Sequence, residues 1–188
     1  RKLIILNASL KIAILILMIH AFANPNLVQY KDKAMGYRLL GYPLLSISIF
    51  IISRTFKLKK YPLAQDIIIN TIIVLDMLGN ALAFYGDISL WDDIMHFINC
   101  GMLSVVILKS MPTDIRDRKF LAFALAIGIV ASLEILWELV EYVTFLKSNG
   151  TEIIIAYRDT IGDLALGQLG SMITTSLIVR NKLLKQNS

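Results

Sequence analysis

The sequence predicts an all-α fold: a polytopic membrane protein of about six transmembrane helices, with both termini cytoplasmic. Three observations lead there. The 188-residue chain is 56% hydrophobic and only 18% charged, with a mean hydropathy of +0.67, which is too apolar for an ordinary water-soluble domain. Its apolar residues fall in runs close to the roughly 20 residues a helix needs to cross a bilayer. Its basic residues gather in alternate connectors, the pattern that sets membrane orientation. At this length one domain is expected: a single transmembrane helical unit over residues 1–188, with its motif-bearing part at about 63–179.

The first apolar run covers about residues 3–23 and is interrupted by Asn7 and Lys11. Arg1 and Lys2, the run itself and Ala21-Phe22-Ala23 also fit a signal peptide with a small-residue cleavage site. The run is long for that role and Lys11 breaks it, so a retained helix is the expectation. After a polar loop containing Pro25, a second helix is expected over about 34–53. It holds Pro43, tolerated as a kink in a membrane helix, and Arg38, expected to snorkel toward the headgroups. A basic connector rich in Arg54, Lys57, Lys59 and Lys60 leads to a third helix over about 63–85, with Asp76 and Asn80 four apart on one face.

Residues 86–90 form a short loop with no basic residue. A fourth helix follows over about 91–110, opening with Trp91-Asp92-Asp93-Ile94-Met95-His96, and a basic connector with Arg116, Arg118 and Lys119 ends it. The fifth helix, about 120–145, carries Glu134, Glu138 and Glu141 in its last third. Residues 147–158 read as a loop whose Asn149-Gly150-Thr151 fits a glycosylation acceptor. The sixth helix, about 159–179, begins at Asp159 and Asp163 and ends in a basic tail. Gly167 with Ser171, and Gly170 with Thr174, offer small surfaces for close helix packing.

Six crossings place thirteen of the nineteen basic residues on the side of the termini and five on the other, with Lys11 inside a helix. That bias puts both termini in the cytoplasm and places the chain in the plasma (inner) membrane as a multi-pass protein. The formal charge of +5 therefore reflects topology rather than a nucleic-acid partner. Cys100 is the only cysteine, which excludes an internal disulfide and a Cys-based zinc site.

With this orientation the acidic residues of separate helices converge on the outer half. Asp92 and Asp93 lie at the outer entry of the fourth helix, with His96 roughly 6 Å deeper at about 1.5 Å rise per residue. Glu138 and Glu141 fall at similar depth on the fifth helix, and Asp159 and Asp163 on the sixth. Asp92 and His96, Glu134 and Glu138, and Asp159 and Asp163 are each four apart, on one helix face. Ionisable groups in hydrocarbon are costly unless paired or in a wet cavity. Several carboxylates at close range cannot all stay charged without protons or a cation.

Three readings follow. One imidazole among carboxylates suits a divalent metal (Zn, Mn, Fe or Mg), the only cofactor the sequence suggests, held by Asp92, His96, Glu138, Glu141, Asp159 and Asp163. A metal there could activate water at an envelope lipid or a lipid-linked small molecule, with Asp92, His96, Glu138 and Asp163 as catalytic candidates. A second reading is a proton- or cation-coupled path extended inward by Asp76. The third treats the groups as interhelical polar contacts that hold the bundle or bind a partner subunit.

Asp92-x-x-x-His96-Phe97 with Gly101, Glu138-Leu139-Val140-Glu141-Tyr142, and Asp159-Thr160-x-x-Asp163 with Gly170 resemble the YjdF-type bacterial inner-membrane proteins. A looser likeness holds to the VanZ-like proteins, associated with glycopeptide-antibiotic resistance. The resemblance covers about residues 91–171 and implies fold and topology, not a reaction. Asp93 stands where a basic residue is expected, Tyr142 replaces a tryptophan, and Glu134 is an extra acid. These departures make the site more negative and favour a metal.

Overall fold

A computed structural model describes residues 1–31, 33, 35–145 and 153–180. The described residues contain helices and no strand: α1 Lys2–Ala23, α2 Met35–Thr55, α3 Leu63–Ala81, α4 Phe84–Asp87, α5 Trp91–Ser110, α6 Thr113–Arg116, α7 Lys119–Phe145 and α8 Ile153–Arg180. Five of them (α1, α2, α3, α5 and α7) are long and apolar enough to cross a membrane. Helix α8 is longer still, but Asp163, Gln168 and a run of glycine, serine and threonine residues dilute its apolar content. The glycosylation acceptor at Asn149 and the basic tail beyond Arg180 lie outside the described residues.

The chain divides into two compact units, Arg1–Trp91 and Asp92–Ser188. In the first, α3 packs on both α1 and α2. Its buried face reads Asp66, Asn70, Ile73, Asp76, Met77, Gly79 and Asn80, polar at both ends and apolar between. At one end the fully buried Asp66 accepts hydrogen bonds from Asn7 Nδ2 (2.7 Å), Lys11 Nζ (3.1 Å) and Asn70 Nδ2 (2.9 Å). The Tyr61 hydroxyl donates to the same carboxylate at 2.5 Å. Tyr61 precedes α3, and burial, with that hydrogen bond and the carboxylate's charge, pushes its ionisation well above the usual tyrosine range. Lys11 also donates to the Ser46 carbonyl, and Ser46 donates to Asn70 Oδ1 at 2.6 Å. The two polar residues that interrupt the first apolar run are thus the ones that fasten α1 to the bundle.

At the other end Asp76 corrects two sequence expectations. Arg38 does not snorkel. It is 5% exposed and grips Asp76 through Nε (2.9 Å) and Nη2 (3.3 Å), while the Tyr42 hydroxyl donates to the same carboxylate at 2.7 Å. A guanidinium with a bidentate carboxylate partner gains more by staying in place than by reaching for water. The third helix also stops at Ala81 rather than Tyr85, because Ala83 takes a left-handed conformation (φ 60°). The turn brings Tyr85 back so that its hydroxyl donates to Asp76 Oδ1 at 2.9 Å; nine residues of unbroken helix would carry it about 13 Å away. Gly79 leaves room for the rings of Tyr85 and Trp91 beside α3, and Trp91 packs edge-on against Phe84 at 4.8 Å.

In the same unit His20 meets the Tyr30 hydroxyl through Nδ1 at 2.7 Å. In the second unit α8 starts at Ile153, six residues earlier than the sequence suggests, so Tyr157 and Arg158 are helical rather than in a loop.

Candidate functional site

Helix α7 buries one stripe at intervals of four: Ala122, Ala126, Val130, Glu134 and Glu138. Such residues advance by about 40° per step and so share one face over several turns. The lower part of the stripe is apolar, and Ala122 and Ala126 pack with Leu108 and the half-buried Ile107, Met111, Ile178 and Val179. The upper part is two glutamates, only 5% and 6% exposed. An apolar helix face that turns acidic within a span needs polar partners at that level.

Helices α5 and α8 supply them. The two backbones approach closely at glycines: a side chain on Gly170 would overlap the Phe97 carbonyl, and one on Gly101 would meet the Thr174 hydroxyl. The Ser104 and Ser171 hydroxyls share a hydrogen bond of 2.8 Å between the same helices. The small residues expected to pack closely do so, and they set His96, beside Phe97, at the level of Asp163, two turns before Gly170.

The result is one imidazole ringed by four carboxylates. Nε2 of His96 lies 3.6 Å from Asp92 Oδ1, 3.8 Å from Glu138 Oε1 and 3.9 Å from Asp163 Oδ2; Nδ1 lies 3.5 Å from Glu134 Oε1. Exposure falls from 40% at the Asp92 side chain to 10% at His96 and 2–6% at Glu134, Glu138 and Asp163. The site therefore has a mouth at Asp92 and a closed floor. Neither Glu134 Oε1 nor Glu138 Oε1 has a hydrogen-bond partner, although both are buried. Donor atoms of Asp92, His96 and Asp163 all lie within 4.8 Å of one another, a grouping that could hold a metal ion.

Of the residues singled out in the sequence, Asp92, His96, Glu138 and Asp163 come together. Glu141 is half-buried and Asp159 exposed, and neither is in the group of mutually close donors. Asp93 lies beside Gly162, 3.9 Å from where a side chain there would begin. Glu134, placed by its spacing on one helix face with Glu138 but left out of the ligand set, stands against His96. Its signal was the interval-of-four stripe, which is legible in the sequence from Ala122 onward. Asp76 and Asn80 are committed to the first unit, where Asn80 Nδ2 donates to the Asp76 carbonyl at 2.9 Å.

A family model for predicted membrane proteins, DUF2238, matches residues 6–182. The chain belongs to that family. DUF2238 is the YjdF-like family, so the likeness read from the three acidic stretches extends over nearly the whole chain, including the first helices. The match adds nothing to the VanZ likeness. With five apolar helices, this DUF2238 member is a multi-pass membrane protein. No curated protein and no solved structure matches the chain.

Proposed function

We propose that this protein is a six-span envelope membrane protein, with both termini cytoplasmic, whose second unit binds a divalent cation near the outer face. Its site would act on, or bind, an envelope lipid or lipid-linked molecule. The observation that carries the reading is a buried carboxylate oxygen without a hydrogen-bond partner, Glu138 Oε1, 3.8 Å from Nε2 of the imidazole. Four carboxylates against one imidazole, three of them in the closed floor, would leave a net negative charge unless protons or a cation offset it, and uncompensated buried charge is strongly unfavourable.

Spacing supports a cation over simple hydrogen bonding. Separations of 3.6, 3.8 and 3.9 Å at Nε2 are too long for hydrogen bonds. Ligand atoms bound at about 2.1 Å around one tetrahedral ion stand about 3.4 Å apart, so the three oxygens around Nε2 would draw in by a few tenths of an ångström to bind one. One nitrogen and several carboxylate oxygens suit Zn, Mn or Fe, with Mg the hard-ion alternative. A divalent ion would supply a Lewis acid at the mouth, where Asp92 meets the surface. His96, Glu138 and Asp163 would fix it from the floor. The relay reading has less support, since Asp76 already bonds Arg38 and two tyrosines.

Elemental analysis of the purified protein in detergent is the test. About one equivalent of a transition metal in the native protein, lost in His96→Ala and Asp163→Asn while both stay helical and monodisperse, supports the reading. Native protein that holds no metal after saturation and desalting rejects it.

A further inference from the structure

The two nitrogens of His96 face different surroundings. Nε2 looks toward Asp92, Glu138 and Asp163, whereas Nδ1 looks toward Glu134 alone, at 3.5 Å. The nitrogens point to opposite sides of the ring, so a single ion can take only one of them. Glu134 is also held from behind. Its Oε2 accepts from Gln168 Nε2 at 3.5 Å, and its carboxylate fills the space that a side chain on Gly167 would occupy. Helix α8 therefore supplies a notch and a donor that seat Glu134 facing Nδ1, apart from the group formed by Asp92, His96 and Asp163.

We propose that Glu134 is a positioning residue. With the cation bound it would close the 3.5 Å gap to accept the Nδ1–H of His96, fix the ring's orientation and tautomer, and leave the Nε2 lone pair to join Asp92, Glu138 and Asp163 as ligands of a divalent cation. A carboxylate on the far nitrogen of a ligating histidine orients the ring and raises its basicity, and the hydrogen bond at one nitrogen decides which is free to bind. This explains why a fourth acid is buried on the side of the ring away from the others, and why position 167 is a glycine. The proposal rests on the cation-binding reading above.

The test is titration of the full-length protein in nanodiscs with Co2+, whose visible absorption reports coordination, followed by competition with Zn2+. Native protein should bind one equivalent. Glu134→Ala should bind the same equivalent with the same band shape but about 10–100-fold more weakly, the usual effect of losing an outer partner. Glu134→Gln, whose amide oxygen still accepts from Nδ1–H, should fall between the two. Gly167→Ala, which expels the carboxylate, should reproduce Glu134→Ala. Native affinity in Glu134→Ala overturns the proposal; so does complete loss of the ion or a changed band shape, which would make Glu134 a ligand. Should Glu134→Ala not fold, native affinity in both Glu134→Gln and Gly167→Ala overturns it. Native protein that takes up neither ion sinks the cation reading itself, an outcome distinct from any of these.

Discussion

Arg38 and Asp76 form a two-nitrogen ion pair inside the first unit, both less than a tenth exposed. Breaking a buried pair from one side leaves a charge with no compensation, at a cost of about 3–5 kcal/mol. Arg38→Met should therefore lower the unfolding free energy in detergent by about that amount. The double variant Arg38→Met/Asp76→Leu should cost less than the single one, though not nothing, because the Tyr42 and Tyr85 hydroxyls lose their acceptor. A double variant no better than the single would show that the hydroxyl contacts, not the charges, dominate.

The second polar clamp makes a matching prediction. Asp66 takes donors from α1, from Tyr61 and from its own helix, so Asp66→Ala strands Lys11 and Asn7 together. Loss of stability should exceed that of Asn7→Ala by about 2 kcal/mol, since the part-buried Lys11 ammonium, Asn7, Asn70 and the Tyr61 hydroxyl all lose the same acceptor at once. Protease protection of α1 in native membranes is a direct readout.

Gly170 and Gly128 should respond in opposite senses to the same change. A methyl group on Gly170 runs into the Phe97 carbonyl, which cannot move aside without parting α5 from α8; around Gly128 nothing lies within 4 Å. Overpacking of this kind costs about 1–3 kcal/mol, whereas alanine for glycine in an open helix position gains up to about 1 kcal/mol. Thermal unfolding should separate the two variants clearly. Gly170→Ala should also weaken cation binding, because Phe97 is the neighbour of His96.

If the His96 site holds a cation, chelation should lower thermal stability and the added ion should restore it in proportion to the logarithm of its concentration, as for any ligand of the folded state. At 100 times the dissociation constant the gain is about 2.7 kcal/mol. His96→Ala should show neither loss nor gain. Equal sensitivity to chelator in native and variant protein would place the ion elsewhere.

The orientation inferred from the basic residues can be checked with a membrane-impermeant maleimide in a Cys100→Ala background. A cysteine at Ile88 should label in intact cells, and one at Lys59 only after permeabilisation. The reverse pattern would move the His96 site to the cytoplasmic half and end the case for an outer-leaflet substrate.

Hydropathy and spacing alone determined the membrane class, where the long helices lie, and three of the four carboxylates around the imidazole. These are properties of one helix at a time: length decides whether a segment can cross, and intervals of three or four decide which residues share a face. Pairing between helices is a different kind of information. Whether Arg38 reaches for water or for Asp76, whether Lys11 interrupts a helix or ties it to Asp66, and whether Glu134 or Glu141 stands beside His96 depend on how each helix is rotated about its axis. Rotation is set by close contacts elsewhere, such as Gly170 against Phe97 and Gly167 against Glu134, which no single-helix pattern contains. Only the tertiary structure decided which acids face the ring, because a charge buried in a bundle is placed by the partners it finds there.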